Sequence, residues 1–225
     1  MASEHFESSF NLCKELRKEL DKNSPLAIAN RRDLNEILIR LGNLRLKEGK
    51  INEAEYFVKY SLKLNRELLE DKPTPQHKRH VASSLLLLGK LYQHGEKPNK
   101  ALECLYESKK LLTELKENTK NKLCRRELAF TDLAIGEILQ GKKSEALDFY
   151  QEAFKLGEEL RKEEGDTLQN CIIAFGGAFC VASTCGEQEK SKYYKYCLGL
   201  IKKSSDLQNK YPGVKEHLEK FVESS

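Results

Sequence analysis

Few side chains in this sequence stand at spacings that do chemistry. His77 and His80, in "HKRH", are spaced to bring two imidazoles near one helical face, which is the beginning of a metal site. No cysteine or carboxylate stands at ligand spacing to complete it, and Lys78 and Arg79 lie between, so no metal is expected. The seven cysteines, Cys13, Cys104, Cys124, Cys171, Cys180, Cys185 and Cys197, are odd in number and form no Cys-x-x-Cys pair. Inside helical patterns they read as reduced, small apolar residues. Paired acids such as Glu158 and Glu159 belong to solvated helix faces, where opposite charges at i and i+4 are routine. No Gly-rich phosphate loop, Gly-x-Ser-x-Gly elbow or His-Glu-x-x-His motif occurs. The expectation is a protein that is not an enzyme and uses no cofactor.

What chemistry does not supply, architecture must. A chain of 225 residues fits one domain or one short repeat array and can bury a core without disulfides or metal. Five prolines, no tryptophan and abundant Leu, Lys, Glu and Ala favour helix, and thinly spread Ile, Val and Thr do not suggest strands. The fold class expected is all-α. The formal charge of +4, from 39 basic and 35 acidic side chains, is far from that of a typical nucleic-acid-binding domain. The opening "MASEHFESSF" lacks the basic end and apolar run of a secretory signal. The uncharged stretch "CIIAFGGAFCVASTC", Cys171 to Cys185, has roughly 15 residues against the ~20 of a spanning helix. A cytoplasmic or nuclear protein is expected.

Internal similarity organises the chain. With Ala54, Ala101 and Ala146 as anchors, three segments superimpose without gaps. Upstream lie Leu38, Leu85 and Phe130, then Leu41, Leu88 and Leu133, then the small residues Gly42, Gly89 and Ala134. Downstream follow Val58, Leu105 and Tyr150, then Ser61, Ser108 and Ala153, then Leu64, Leu111 and Leu156, and finally Leu68, Leu115 and Leu160. Intervals of three and four place these on one helix face either side of a break near Gly49, Gly95 and Gly141. Each unit is therefore an antiparallel helix pair. Small residues let backbones approach, large ones fill the space between, and pairs must stack to bury both faces.

These residues resemble the tetratricopeptide repeat. "LIRLGNLRLKEGKINEAEYFVKYSLKL" and "LLLLGKLYQHGEKPNKALECLYESKKL" match its Leu-Gly, Tyr, Ala, aromatic, Ala pattern, and "FTDLAIGEILQGKKSEALDFYQEAFKL" matches in its second half, with Ala134 for the Gly. Spacings of 47 and then 45 residues exceed the usual 34. They are similar to the long-helix repeats of kinesin light chains, Leu-Gly-Asn-repeat spindle adaptors and tonsoku-like proteins. The resemblance implies a right-handed α-α superhelix of stacked antiparallel pairs, about nine or ten helices in one domain over 1–225. Its parts are a lone second helix at 1–22, repeats at 26–72, 74–118 and 121–164, a degenerate repeat at 167–209, and a terminal capping helix at 213–223. In the lone helix Ala2 is the anchor, with Phe6, Ser9, Leu12 and Leu16 at the repeat offsets. A further step of 45 reaches Ser191, with Phe179 where a small residue is expected and Lys195 where an aromatic is. "CIIAFGGAFCVASTC" becomes the first helix of that repeat, apolar because buried all round, or in part the wall of an apolar pocket.

In such arrays first helices line the concave side. The resemblance places there Glu36, Ile39, Asn43, Leu46 and Lys47, then Ser83, Leu86, Lys90, Gln93 and His94, then Thr131. An Asn of a Leu-Gly-Asn sequence commonly bonds a peptide backbone in these adaptors, and an amide both donates and accepts. Here "LGN" occurs once, at Asn43, and Lys90 departs from the pattern. Lys47 and Lys90 suit an acidic or phosphorylated ligand. The chaperone carboxylate clamp matches only at Asn43; Ile39, Leu87, Leu128 and Asp132 occupy its other places, so it is rejected. The leading expectation is an interaction module that holds an extended or acidic peptide of a protein partner in its groove. One alternative is a basic edge at the inter-repeat junctions, for nucleic acid or an acidic partner. It draws on Arg31, Arg32, His77, Lys78, Arg79, His80, Lys120, Lys122, Arg125 and Arg126, with Asp33, Glu36 and Glu127 interleaved. Another is self-assembly through an uncapped end, giving a homo-oligomer.

Overall fold

The computed structural model describes residues 2–21, 24–118 and 121–224. Among the described residues the regular elements are eleven helices and no strand: α1 (Ala2–Glu19), α2 (Pro25–Lys47), α3 (Ile51–Asp71), α4 (Pro75–His94), α5 (Pro98–Asn118), α6 (Lys122–Ile138), α7 (Lys143–Glu164), α8 (Leu168–Thr184), α9 (Glu187–Lys203), α10 (Ser205–Lys210) and α11 (Val214–Ser224). The count exceeds the nine or ten expected because Ser204 closes α9 and caps the short α10, its hydroxyl accepting from Leu207 N at 3.2 Å. No described helix is long and apolar enough to cross a membrane. Contacts group the chain into two units, Met1–Leu111 and Leu112–Ser225, with the boundary inside α5.

The helix ends follow a local rule. The first helices of successive pairs start on a side-chain cap: Ser24 accepts from Ala27 N, Thr74 from His77 N, Asn121 from Leu123 N and Thr167 from Asn170 N. Pro25 and Pro75 open α2 and α4 where a missing N–H costs nothing. The second helices α3, α7 and α9 have no side-chain cap and are entered by short turns. After α2, Gly49 adopts φ +74°, Gly49 N–H donates to Leu46 O, and Lys50 N–H donates to Arg45 O, which together close a Schellman turn. After α4 the same two bonds form at Glu96 and Lys97, but Glu96, not Gly95, takes the left-handed conformation at φ +55°.

In the first unit α1, α2, α3 and α4 pack consecutively. Leu34, Leu38 and Leu41 of α2 meet Leu64 of α3 and Phe10 of α1 in one buried cluster. A Cβ on Gly42 would lie 2.7 Å from Val58 Cγ2, and one on Gly89 2.6 Å from Leu105 Cγ, so each glycine receives the large residue at the matching position of its own pair. Ala54 and Ala101 are fully buried. Arg17 Nη2 reaches Glu67 Oε2 at 2.5 Å, and Arg45 meets Glu7, Glu48 and Glu53, tying α1, α2 and α3 together.

In the second unit α8 packs against α6, α7, α9 and α10, which accounts for its uncharged sequence. Its glycines differ in role. A Cβ on Gly177 would sit 2.6 Å from Phe154 N, and one on Gly157 of α7 2.6 Å from Ala174 N, so here backbone meets backbone. A Cβ on Gly176 would meet only Leu133 Cδ1, at 3.5 Å. In the third pair Ala134, at the register position, is buried, and Gly136 stands close against the Tyr150 ring. In α9 the buried aromatic is Tyr194, packed edge-on to Phe221 of α11 at 4.8 Å, and Lys195 is exposed. The ammonium thus stays in water and the ring one position before it enters the core, while Leu198 and Ile201, at the next register offsets, remain buried.

Candidate functional site

A cleft of about 760 Å³ opens in the first unit, flanked by α2 and α4 and floored by α3. From α2 come Arg32, Asp33, Asn35, Glu36, Ile39, Arg40 and Asn43; from α3, Asn65 and Leu68; from α4, His80, Ser83, Ser84, Leu86, Leu87 and Lys90. Spacings of three and four on α2 and α4 turn one stripe of each helix toward the same space. The apolar share is Ile39, Leu68, Leu86 and Leu87. The rim is charged, with Arg40 Nη2 on Glu36 Oε1 at 2.6 Å. Asn43 donates from Nδ2 to Ile39 O at 3.0 Å, so its amide bonds back to its own helix and offers its carbonyl outward.

The floor is a ring of hydrogen bonds across three helices. Ser61 Oγ donates to Asn35 Oδ1 at 2.6 Å and lies 3.1 Å from Ser84 Oγ. Asn65 Nδ2 donates to Asn35 Oδ1 at 3.0 Å and to Ser84 Oγ at 2.9 Å, with His80 O at 3.3 Å. Because Ser61 spends its proton on Asn35, Ser84 is the donor to Ser61, and the ring closes in one sense. His80 O can only accept, which sets the orientation of the Asn65 amide. Beside it, burial first and then the neighbouring Arg79 and His77 push the His80 imidazole down to about 4. His80 is therefore neutral near pH 7.

The expected groove residues divide. Ile39, Asn43, Leu86 and Lys90 line the cleft, together with Glu36 and Ser83. Lys47 and His94 are exposed near the helix C-termini and outside its lining. Thr131 lines no open surface: it is fully buried, its hydroxyl donating to Glu127 O at 2.8 Å. Its register counterpart on α8 is Gly176, small enough for α8 to pack directly on α6 and close that face. The residues that sequence reading missed are Asn35, Asn65 and Ser84. The signal was present at Asn65, a polar residue where the repeat register holds Leu112 and Gly157.

Four residues of the basic edge are held in ion pairs. Arg31 binds Asp71, Arg125 binds Glu163 at 2.5 Å, and Arg126 binds Glu164 and Asn170. These arginines fasten the helices of their own layers. Arg32 lines the cleft, Lys78 and Arg79 are half-buried in the first turn of α4, Lys122 meets Glu164 at 3.3 Å, and Lys120 lies outside the described residues. The His77 and His80 rings stand 6.5 Å apart, and His77 Nδ1 lies 2.7 Å from Lys72 O. The seven cysteines are free, and burial pushes the Cys180 and Cys197 thiols up to about 12 and Cys104 to about 11. Such thiols are poor nucleophiles. Part of α8 lines a second cleft of about 470 Å³, where Phe179 and Cys180 face Gln140 and Tyr150. On α1, Leu12 and Leu16 are 70% and 36% exposed, although their register counterparts Leu64 and Leu68 are buried; the side chain of the Ala2 anchor lies outside the description.

Both units belong to one class of architecture, all-α stacks in which consecutive helices pack as antiparallel pairs. No family model matches the chain, and no curated protein does. Among solved structures it is similar to the crystal structure of BtubC (BKLC) from P. vanneervenii, at 20% identity over 100% of this chain and 92% of that one, with a TM-score of 0.45.

Proposed function

We propose that this chain is a non-enzymatic interaction module of the tetratricopeptide type, and that the cleft of the first unit holds an extended segment of a protein partner. One observation carries the reading: Glu36, Ile39, Asn43, Ser83, Leu86 and Lys90, from two helices, line one open cleft of about 760 Å³. Apolar walls with a few convergent polar groups are what a side-chain-reading site needs. Because the walls are helices, little ordering cost falls on this side of the complex.

The test is a display library of random 12-residue peptides panned against the whole chain, with the Asn43→Ala, Lys90→Ala double variant as counter-selection. Enriched peptides should bind the variant at least tenfold more weakly, while its circular dichroism and melting stay those of the wild type. Peptides that bind both proteins equally would move the site away from the cleft.

A further inference from the structure

The hydrogen bonds at the floor of the cleft leave one acceptor over. Asn65 is 1% exposed and lines the cleft, both of its amide protons are spent on Asn35, Ser84 and His80 O, and no protein donor reaches its Oδ1. A buried carbonyl without a donor costs free energy that a ligand can recover. Turning the amide over would set its carbonyl against His80 O at 3.3 Å and leave an N–H unpaired in its place.

We propose that Asn65 is a specificity element for the bound segment, a role that rests on the cleft being a peptide site. Its Oδ1 takes a hydrogen bond from a side chain with an apolar shaft and a donating tip, such as Tyr, Trp, Lys or Gln. Ile39, Leu68, Leu86 and Leu87 pack the shaft. A carboxylate or phosphate brings oxygen against oxygen at this point and is turned away. Acidic groups of the same segment are confined to the rim, where Arg32 and Lys90 stand. The cleft then reads two features at two depths, a donor at the floor and an anion above it.

The same library decides the matter. One position of the enriched peptides should be dominated by donor-tipped side chains and depleted of Asp and Glu. Removing the donor alone from the best peptide, Tyr→Phe or Lys→norleucine, should weaken binding to the wild type by about tenfold, the size of effect that an unpaired buried acceptor produces. That loss should vanish against Asn65→Ala. The peptide-side change is read on the wild-type protein, so the result stands even if the variant folds poorly. Peptides that need Asn43 and Lys90 but show no donor preference, or lose less than about twofold on donor removal, would overturn the role of Asn65 and leave the cleft as the site. Peptides indifferent to Asn43→Ala, Lys90→Ala, or no enrichment at all, would overturn both.

Discussion

In the α3/α4 layer Asn65 faces Ser84, and in the α7/α8 layer the same two register positions hold Gly157 and Ala174. The first layer is spaced by side chains and sealed by hydrogen bonds; in the second, backbone touches backbone. The difference continues outward. Ile39 and Leu86 flank an open cleft, whereas their counterparts Thr131 and Gly176 lie where α6 and α8 have closed together. Asn43 and Lys90 line the cleft, while Ile135 is fully buried and Cys180 is half so. One repeat register thus yields an open layer or a core layer according to whether an amide and a hydroxyl or a glycine and an alanine occupy two positions.

The contrast breaks most sharply at Gly177. Gly177→Val should destabilise the chain by about 3 kcal/mol in urea unfolding, because the new side chain must displace Phe154 backbone and not a mobile group. Gly176→Ala, one residue away, should be neutral or stabilise by up to ~1 kcal/mol, since only ordinary contact awaits its methyl. Equal losses in both would mean that the tightness of the α7/α8 layer does not reside in this glycine.

The polar layer should respond to pH through His80. Folding withholds a proton from His80, whose folded value of about 4 lies below its ordinary 6.5. Between those values the unfolded chain binds more protons, so stability is lost as pH falls from about 6.5 to about 4 and is fully present above. His80→Gln should flatten this part of the stability profile, measured as the difference between wild type and variant from pH 4 to 7. An unchanged profile would show that the ring opens to water in the folded protein.

The smallest change makes one layer resemble the other. Ser84→Ala places in α4 the residue that α8 carries at Ala174. It removes the acceptor of Asn65 Nδ2 and the donor to Ser61, and should cost about 1 kcal/mol. No loss would mean that water replaces the hydroxyl without penalty.

The stacked helices were legible because their cause is periodic. Ala54, Ala101 and Ala146 are buried anchors, and Val58, Leu105 and Tyr150 follow each of them at the same offset. What escaped depended on partners in the next helix. Gly157 has no local reason to be glycine; its reason is Ala174 across the interface. Asn65 looks like a solvated residue until Ser61, Ser84 and Asn35 are brought to it. Tyr194, buried where the register points to Lys195, packs on Phe221, more than twenty residues on. Position along a groove could be read from the repeat, but whether the groove stays open depends on what meets across the facing helices, Asn65 with Ser84 or Gly157 with Ala174, which a register does not weigh.

The alternation of capped starts and Schellman turns has a consequence for how the chain acquires its structure. The signals that begin α2, reverse the chain at Gly49 and launch α3 all lie within that hairpin, and its contacts join segments close in sequence. A polymer organised so pays little loop-closure entropy before its first contacts reward it, and folds in the microsecond to millisecond range typical of local topologies. Hydrogen exchange should then reveal helix pairs opening and closing as separate units, each with its own protection.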